Sequence, residues 1–136
     1  MSYTICYTSK SVQDLNLEGI ESIFKSTVVK NNARNITGIL LYNSGCFFQV
    51  LEGEKSKVKE LFYDIIYPDK RHRELFVVME KFTDKPFFSL YNTQFSVVKT
   101  QQEYDHLKQY IDANFVNEDT EKFKRLLSPF VQMLND

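Results

Sequence analysis

An α+β fold is predicted by the order in which two hydrophobic periodicities follow one another along the chain. Alternation of side chains over Tyr3–Thr8 is typical of a strand, whereas apolar residues three or four apart between Leu17 and Asn31 are typical of a helix. In order, the segments read β-α-β-β-α-β-β, and two amphipathic helices follow. This order favours an antiparallel sheet with two helices on one face, the ferredoxin-like arrangement.

Turn and stop signals separate the individual elements. Gly45 marks a hairpin turn between two apolar strands, and Pro68 ends the second helix. The strands are predicted at Tyr3–Thr8, Ile36–Tyr42, Cys46–Leu51, Leu75–Lys81 and Leu90–Val98, and the first two helices at Leu17–Asn31 and Lys55–Tyr67. The connection rules of this topology place the first strand beside the third, so Tyr7 and Gln49 are expected on neighbouring central strands.

The predicted organisation is a domain over residues 1–100 and a helical extension over residues 101–136. Apolar residues at helical spacing mark two helices in the extension, and Pro129 predicts a kink or break in the second. Because helices on one face leave the other face of the sheet apolar, the extension has three possible roles. It packs on that face, forms an oligomer contact or presents an output surface, and the sequence leaves these open.

Composition excludes several classes of protein. The chain has 136 residues, 43% of them hydrophobic and 26% charged, with a formal net charge of −1, which describes an ordinary globular protein and not a nucleic-acid-binding one. No apolar run approaches ~18 residues, so we expect no membrane span. Since the N-terminus lacks a basic and then apolar stretch, we expect no signal peptide, a cytoplasmic location and free thiols at Cys6 and Cys46.

The most informative residue for function is Gln49, a carboxamide inside an apolar strand. A buried amide costs free energy unless it is paired, and glutamine offers two donors and an acceptor. If Gln49 faces the helices, Tyr7 and Asn31 converge with it between helices lined by Ile23 and Ile65. That set predicts a polar pocket for a planar ligand, although each residue alone is more often structural: a strand-end tyrosine, an edge glutamine or a helix C-cap.

Other chemistries have weaker support. His72 and His106 lie in no metal-binding or nucleophile–base pattern. The charged loop Asp69–Arg73 is a solvated turn or a clamp for a polar ligand edge. A small enzyme of acylphosphatase type would need an anion site at a glycine-rich turn after the first strand, which Thr8–Ser11 does not supply. We therefore expect no enzymatic turnover.

Four segments distributed over about residues 3–98 form a distinctive set of motifs. They are Ile5-Cys6-Tyr7-Thr8-Ser9, Asn31 ahead of Asn35-Ile36-Thr37-Gly38-Ile39-Leu40-Leu41-Tyr42, Phe47-Phe48-Gln49-Val50-Leu51-Glu52-Gly53-Glu54 and Asp69-Lys70-Arg71-His72. Together they resemble the motifs of the BLUF domain, a blue-light sensor that uses flavin, and the third segment is the most specific. The C-terminal helix pair is similar to that of the short, stand-alone members of this family.

The resemblance implies a bound FAD, with FMN as a possible substitute, between the two helices. The residues that it assigns to cofactor binding are Tyr7, Ile23, Thr27, Lys30, Asn31, Gln49, Ile65, Asp69, Arg71 and His72. In the family, blue light drives electron and proton transfer from the tyrosine through the glutamine. The glutamine then stays rearranged, which strengthens a hydrogen bond to the flavin and shifts its absorption to the red.

Two positions depart from the family pattern. Tyr91 and Thr93 replace a tryptophan and a methionine that relay the change at the glutamine into the sheet. Tyr91 is then either a second electron donor or a core aromatic. We expect a homo-oligomer that signals in trans to an unknown downstream protein, without nucleic acid or membrane. The alternative is a light-insensitive ferredoxin-like interaction module.

Overall fold

A computed structural model shows the architecture of the chain and describes residues 2–12, 16–43, 45–88, 91, 95–116, 120–121 and 123–125. The strands are β1 (Ser2–Ser11), β2 (Thr37–Asn43), β3 (Cys46–Gly53), β4 (His72–Thr83) and β5 (Ser96–Val98). The helices are α1 (Leu17–Ala33), α2 (Lys55–Lys59) and α3 (Gln101–Asn114). A π-helical segment, Glu60–Ile66, continues directly from α2.

The five strands form one sheet in the order β4-β1-β3-β2-β5. β1 pairs antiparallel with both β3 and β4, and β2 pairs antiparallel with β3. The predicted α+β ferredoxin-like class is confirmed, and so is the first strand beside the third. Tyr7 lies directly opposite Gln49 in the β1–β3 register.

One face of this sheet forms a core with α1, α2 and the π-helical segment. Because side chains alternate along a strand, Tyr3, Ile5 and Tyr7 of β1 share that face with Phe47 and Leu51 of β3. The buried helical residues packed in the same cluster are Ile20, Phe24, Val58, Leu61 and Phe62. Gln49 has the same parity as Phe47 and Leu51, which places its carboxamide on the helical side.

The ends of α1 are stabilised by local hydrogen bonds. The Asn16 side chain accepts a hydrogen bond from the main-chain N–H of Gly19 at 2.8 Å, which caps the N-terminus. At the other end, the main-chain carbonyl of Asn31 accepts from the N–H groups of Arg34 and Ile36, at 3.1 Å and 2.9 Å. Because the main-chain carbonyl of Asn31 caps the end of α1, its side chain remains available for another partner.

Two element predictions were wrong in detail. The second helix is α-helical only over Lys55–Lys59, and the N–H of Tyr67 bonds the carbonyl of Phe62, five residues earlier. Apolar spacing over two turns does not distinguish this widened helix from an α-helix. Within the predicted strand Leu90–Val98, Tyr91 instead lies in a turn, with its N–H bonded to the carbonyl of Phe88 at 3.1 Å.

The chain divides into two compact units, Met1–Val97 and Val98–Asp136. In the second unit, Thr100 and Glu103 form a reciprocal capping box at the start of α3. Tyr104, Leu107 and Ile111 are the buried residues of this helix, as their spacing predicts. Residues 120–121 and 123–125 are also helical. The predicted break at Pro129 and the substitution at Thr93 lie outside the described residues.

Candidate functional site

A cleft opens between α1 and the π-helical segment, above the central strands of the sheet. Its empty space, counted together with the open mouth, is about 490 Å³. The lining residues are Tyr7, Ile23, Ser26, Thr27, Lys30, Asn31, Leu40, Phe47, Gln49, Leu61, Ile65, Ile66, Asp69 and Arg71. Of the residues predicted to bind a cofactor, all but His72 are in this set.

Three polar side chains form a continuous hydrogen-bonded chain in the cleft. Asn31 Nδ2 donates to Gln49 Oε1 at 3.3 Å, and Gln49 Nε2 donates in turn to the Tyr7 hydroxyl oxygen in a short contact. The exposed fractions of the three residues are 1%, 2% and 4%, respectively. Each of these groups is therefore shielded from water, and the hydrogen bonds between them stabilise one defined arrangement.

The carboxamide of Asn31 is only half satisfied. Its Oδ1 atom is buried and has no hydrogen-bond partner among the described residues. Buried acceptors are rarely left unpaired in folded proteins, and each costs roughly 1–3 kcal/mol. Because Asn31 lines the cleft, a ligand that carries an N–H group fits this oxygen.

Burial controls the protonation of Tyr7. Desolvation raises the pKa of its phenol well above the ordinary value, the charge of Asp69 adds to the increase, and the hydrogen bond from Gln49 opposes it. The phenol is therefore neutral at every physiological pH. Removal of an electron from such a group demands that its proton leave as well, and Gln49 is the adjoining polar group.

The charged loop contributes an ion pair at the cleft. Arg71 Nη2 lies 2.6 Å from Asp69 Oδ2, and Arg71 Nε contacts both carboxylate oxygens, at 3.0 Å and 3.1 Å. Burial alone would raise the pKa of Asp69, but the hydrogen bonds from Arg71 hold it below its usual range. Arg71 is thus oriented by a carboxylate, while Lys30 supplies a second cation to the lining.

Two residues singled out in the sequence are placed away from the cleft. The His72 ring links Ser9 Oγ, at 2.8 Å from Nδ1, to the carbonyl of Ile66, at 2.7 Å from Nε2. Its ring centroid lies 6.3 Å from that of Tyr7, in an edge-on contact between the two rings. Tyr91 packs edge-on against Phe88 at 5.8 Å and is not among the lining residues.

Sequence reasoning missed part of the lining. Ser26 follows Ile23 by three residues and precedes Lys30 by four, so helical spacing could have identified it. Phe47 points to the same side of its strand as Gln49, so alternation along the strand could likewise have identified it. Leu61 and Ile66 are brought to the cleft by the π-helical segment, for which the sequence carries no separate signal.

Solved structures with the same fold are BLUF proteins. The BLUF domain of BlrP1, a protein of Klebsiella pneumoniae, is 29% identical, with a TM-score of 0.72 over 96% of this chain and 90% of that chain. The BLUF protein BlrB, solved in its dark state, is 26% identical, with a TM-score of 0.66 over 94% of this chain and 96% of that chain. The fold is thus that of a sensory domain.

A family model described as BLUF, sensors of blue-light using FAD, matches residues 2–94. The chain therefore belongs to the BLUF family of blue-light sensors, and the flavin is the cofactor of that family. Its described residues contain no cluster of three or more His, Cys, Asp or Glu side chains suited to a metal ion. In the same described part of the chain, no helix is both long and apolar enough to cross a membrane.

Curated relatives contain the matching region within much longer proteins. A photoactivated adenylate cyclase subunit alpha from Euglena gracilis is 39% identical over 75 residues, which are 55% of this chain and 7% of the relative. The blue light- and temperature-regulated antirepressor BluF of Escherichia coli is 38% identical over 72 residues, which are 53% of this chain and 18% of the relative. The chain thus matches a small part of each relative.

Proposed function

We propose that this chain binds FAD in the cleft between α1 and the π-helical segment and signals the absorption of blue light without chemical turnover of a substrate. The observation that carries the proposal is the buried Tyr7–Gln49–Asn31 chain, which ends in an acceptor without a partner among the described residues. It fits the polar edge of a flavin ring, which alternates carbonyl oxygens with a ring N–H group.

The roles of the lining residues follow from their chemistry. Asn31 would accept from the N–H group of the ring and Gln49 would contact its neighbouring heteroatoms. The apolar side chains of Ile23 and Ile65 would flank the faces of the ring, and Thr27 and Lys30 extend the polar wall along α1. Asp69 and Arg71 would form a charged rim beside the phosphate-bearing part of the cofactor. FAD and FMN have this part in common.

When bound, the flavin supplies the absorption of blue light and a temporary acceptor for an electron. Tyr7 is the proposed donor, and because its phenol is buried and neutral, its proton leaves with the electron. Gln49 would accept that proton at Oε1, once its carboxamide is turned toward the phenol, and would release one from Nε2 to the flavin that holds the electron. When the electron returns, the proton returns to Tyr7, and the chain differs from its starting state only in the arrangement of its amides.

The hydrogen-bonded chain supports two arrangements of the Gln49 carboxamide. In the structure, Asn31 Nδ2 donates to Gln49 Oε1 and Gln49 Nε2 donates to Tyr7. With the Gln49 carboxamide reversed, Tyr7 would donate to Gln49 Oε1 and Gln49 Nε2 would become a donor to the ligand, while Asn31 Oδ1 keeps its partner on the ring. The swap exchanges an acceptor for a donor at the ligand, which makes it a suitable switch in a site shielded from water.

The output is proposed to act on a separate protein. BlrB, described as a BLUF protein, matches this chain over 96% of its own length, which supports an output in trans. The unit Val98–Asp136 is a candidate for the surface that contacts a partner or a second copy of the chain. The antirepressor and cyclase relatives illustrate two kinds of output attached to this domain.

One absorption measurement tests the proposal. Purified protein should be yellow, should release FAD on denaturation, and should show a reversible red shift after blue illumination. The Gln49→Leu variant should keep its flavin and lose the normal shift, because leucine fills the space but offers no donor or acceptor. Gln102→Leu, on an exposed position of α3, is the matched control and should behave as the unaltered chain.

The Tyr7→Phe variant should likewise bind flavin without producing the normal red shift, since phenylalanine has no proton to release. An unchanged photocycle in either variant would contradict the proposed roles. Protein that stays colourless after incubation with FAD would instead favour a light-insensitive interaction module. Release of FMN alone would correct the identity of the cofactor and leave the site in place.

A further inference from the structure

A second buried polar group lies on the strand of Gln49, on the opposite face of the sheet. Glu52 is 0% exposed and follows Gln49 by three residues, so its side chain points away from the cleft. Its carboxylate accepts hydrogen bonds from the main-chain N–H groups of Phe87, in a short contact, and of Phe88, at 3.1 Å. The proposed photochemistry does not use this group.

The two main-chain N–H groups that donate to Glu52 belong to the connection between β4 and β5. Phe87 and Phe88 lie in a turn, and their N–H groups bond to this carboxylate. The far end of the connection is held in a similar way, because the N–H of Phe95 donates to Asn32 Oδ1 at 3.1 Å. Asn32 directly follows Asn31, and Glu52 lies on the same strand as Gln49.

Both ends of residues 87–95 are thus anchored to side chains that lie close in sequence to a cleft residue, Asn32 next to Asn31 and Glu52 three residues after Gln49. Val50 and Leu51, which separate Gln49 from Glu52, are 0% exposed, and β3 is paired on both sides. A packed strand of this kind has little room to absorb a displacement locally. A shift of its main chain therefore reaches the carboxylate and the turn that the carboxylate holds.

We propose that Glu52 is a positioning residue that couples the arrangement of Gln49 to the turn at Phe87–Phe88, holding the turn tightly in the dark and less tightly after illumination. The proposal rests on the proposed function, since it needs the light-driven rearrangement of Gln49. It concerns how the change leaves the pocket, and not how the change arises.

The protonation of Glu52 provides a signature of this contact. Burial raises the pKa of Glu52 from 4.5 to about 7, and the hydrogen bonds from Phe87 and Phe88 oppose the increase. The Cys6 thiol of β1 faces the same region; burial raises its pKa, and so does the charge of Glu52. On the β2 side, the Thr37 hydroxyl donates to the main-chain carbonyl of Glu52 at 3.5 Å.

Protonation converts one carboxylate oxygen from an acceptor into a hydroxyl. The turn should therefore be held more weakly below pH 7 than above it. Loss of the two amide hydrogen bonds on illumination would raise the pKa of Glu52 further, since those bonds favour the charged form. By linkage, the free-energy difference between the lit and dark arrangements should then depend on pH across this range, and we expect the rate of return to the dark state to depend on pH as well.

Hydrogen–deuterium exchange of the peptide that contains Phe87 and Phe88 tests the coupling directly. Pro86 has no amide hydrogen, so deuterium uptake at the start of this turn reports on the amides of Phe87 and Phe88. In the unaltered chain at pH 8, we expect their protection, corrected for intrinsic exchange, to fall about tenfold under blue light, the size of one lost charged hydrogen bond. At pH 6 in the dark, protection should already be reduced.

The Glu52→Gln variant supplies the comparison, with Glu54→Gln as the control at an exposed position on the same segment. Glu52→Gln should keep its flavin and its initial red shift. Its protection at 87–88 should be low and insensitive to light, and its recovery rate should not change between pH 6 and pH 8. Glu54→Gln should match the unaltered chain in every measurement.

Equal protection at 87–88 in light and dark, in an unaltered chain that shows the red shift, would overturn the coupling. So would a Glu52→Gln variant that keeps both the light response and the pH dependence. If this variant does not fold, the light and pH series on the unaltered chain decides alone. A missing red shift in the unaltered chain would refute the proposed function first, and the coupling with it.

Discussion

Asn31 combines two roles that belong to different atoms of one residue. Its main-chain carbonyl ends α1 by accepting from Arg34 and Ile36, while its side chain donates to Gln49 inside the cleft. The remaining oxygen, Oδ1, is buried and has no partner among the described residues. Binding of a ligand with a matching donor satisfies this oxygen and contributes directly to affinity.

We expect the Asn31→Ala variant to bind flavin about tenfold more weakly, because it removes the acceptor and one donor to Gln49. The dissociation constant can be measured by flavin fluorescence during titration of the ligand-free protein. Asn114→Ala, in α3, is a control for the loss of an asparagine elsewhere and should leave the constant unchanged. Equal affinity of the Asn31 variant and the unaltered chain would rule out this role.

At the scale of elements, the closeness of β2 to β3 depends on a missing side chain. Gly38 has a φ of +128°, and a Cβ atom at this position would lie 1.9 Å from the main-chain oxygen of Val50. Only glycine allows β2 to approach β3 in this way. The consequence reaches the cleft, because β3 carries Gln49 and β2 contributes Leu40 to the lining.

The Gly38→Ala variant should therefore lose about 2–4 kcal/mol of unfolding free energy, from the clash with main chain and the unfavourable φ. Gly53→Ala is the matched control in β3. A Cβ there would meet its nearest atom, the main-chain oxygen of Asn35, at 3.4 Å, so we expect a change within about 1 kcal/mol. Urea unfolding of the two variants compares them, and similar midpoints would contradict the argument.

At the scale of the whole molecule, Glu52 links the stability of the fold to pH. Burial raises the pKa of the Glu52 carboxyl from 4.5 to about 7. The folded chain then holds a proton that the unfolded chain has released. The stabilisation from the protonated group is complete below the pKa of Glu52 in the unfolded chain. It is lost as pH rises through the pKa of Glu52 in the folded chain.

We expect the unfolding free energy of the unaltered chain, relative to Glu52→Gln, to fall by up to about 3 kcal/mol between pH 4.5 and pH 8. The loss should be centred between the two pKa values and finished above pH 7. Urea unfolding at several pH values measures it, with Glu54→Gln as the surface control. A constant difference across this interval would show that Glu52 has an ordinary pKa.

The arrangement of the central strands was accessible from the sequence because its signals are local. Alternation in β1 and β3 assigns Tyr7 and Gln49 to faces, and the connection rules for this topology make the two strands neighbours. The β1–β3 register then places the two residues directly opposite each other. The helical spacing of Ile23, Thr27, Lys30 and Asn31 likewise predicts one wall of the cleft.

The remaining features depend on contacts between residues distant in sequence. Packing and hydrogen bonds across the fold determine three of these features. They are the π-helical turns after Lys59, the turn at Tyr91 and the position of His72 beside Tyr7. The Glu52 carboxylate accepts hydrogen bonds from the main-chain N–H groups of Phe87 and Phe88, which are 35 and 36 residues away in sequence. The sequence by itself determined the strand faces and the set of polar residues that predict a pocket for a planar ligand, since periodicity is a property of neighbours. Only the tertiary structure decided which buried polar atoms are satisfied, because hydrogen-bond partners are chosen by the folded chain as a whole.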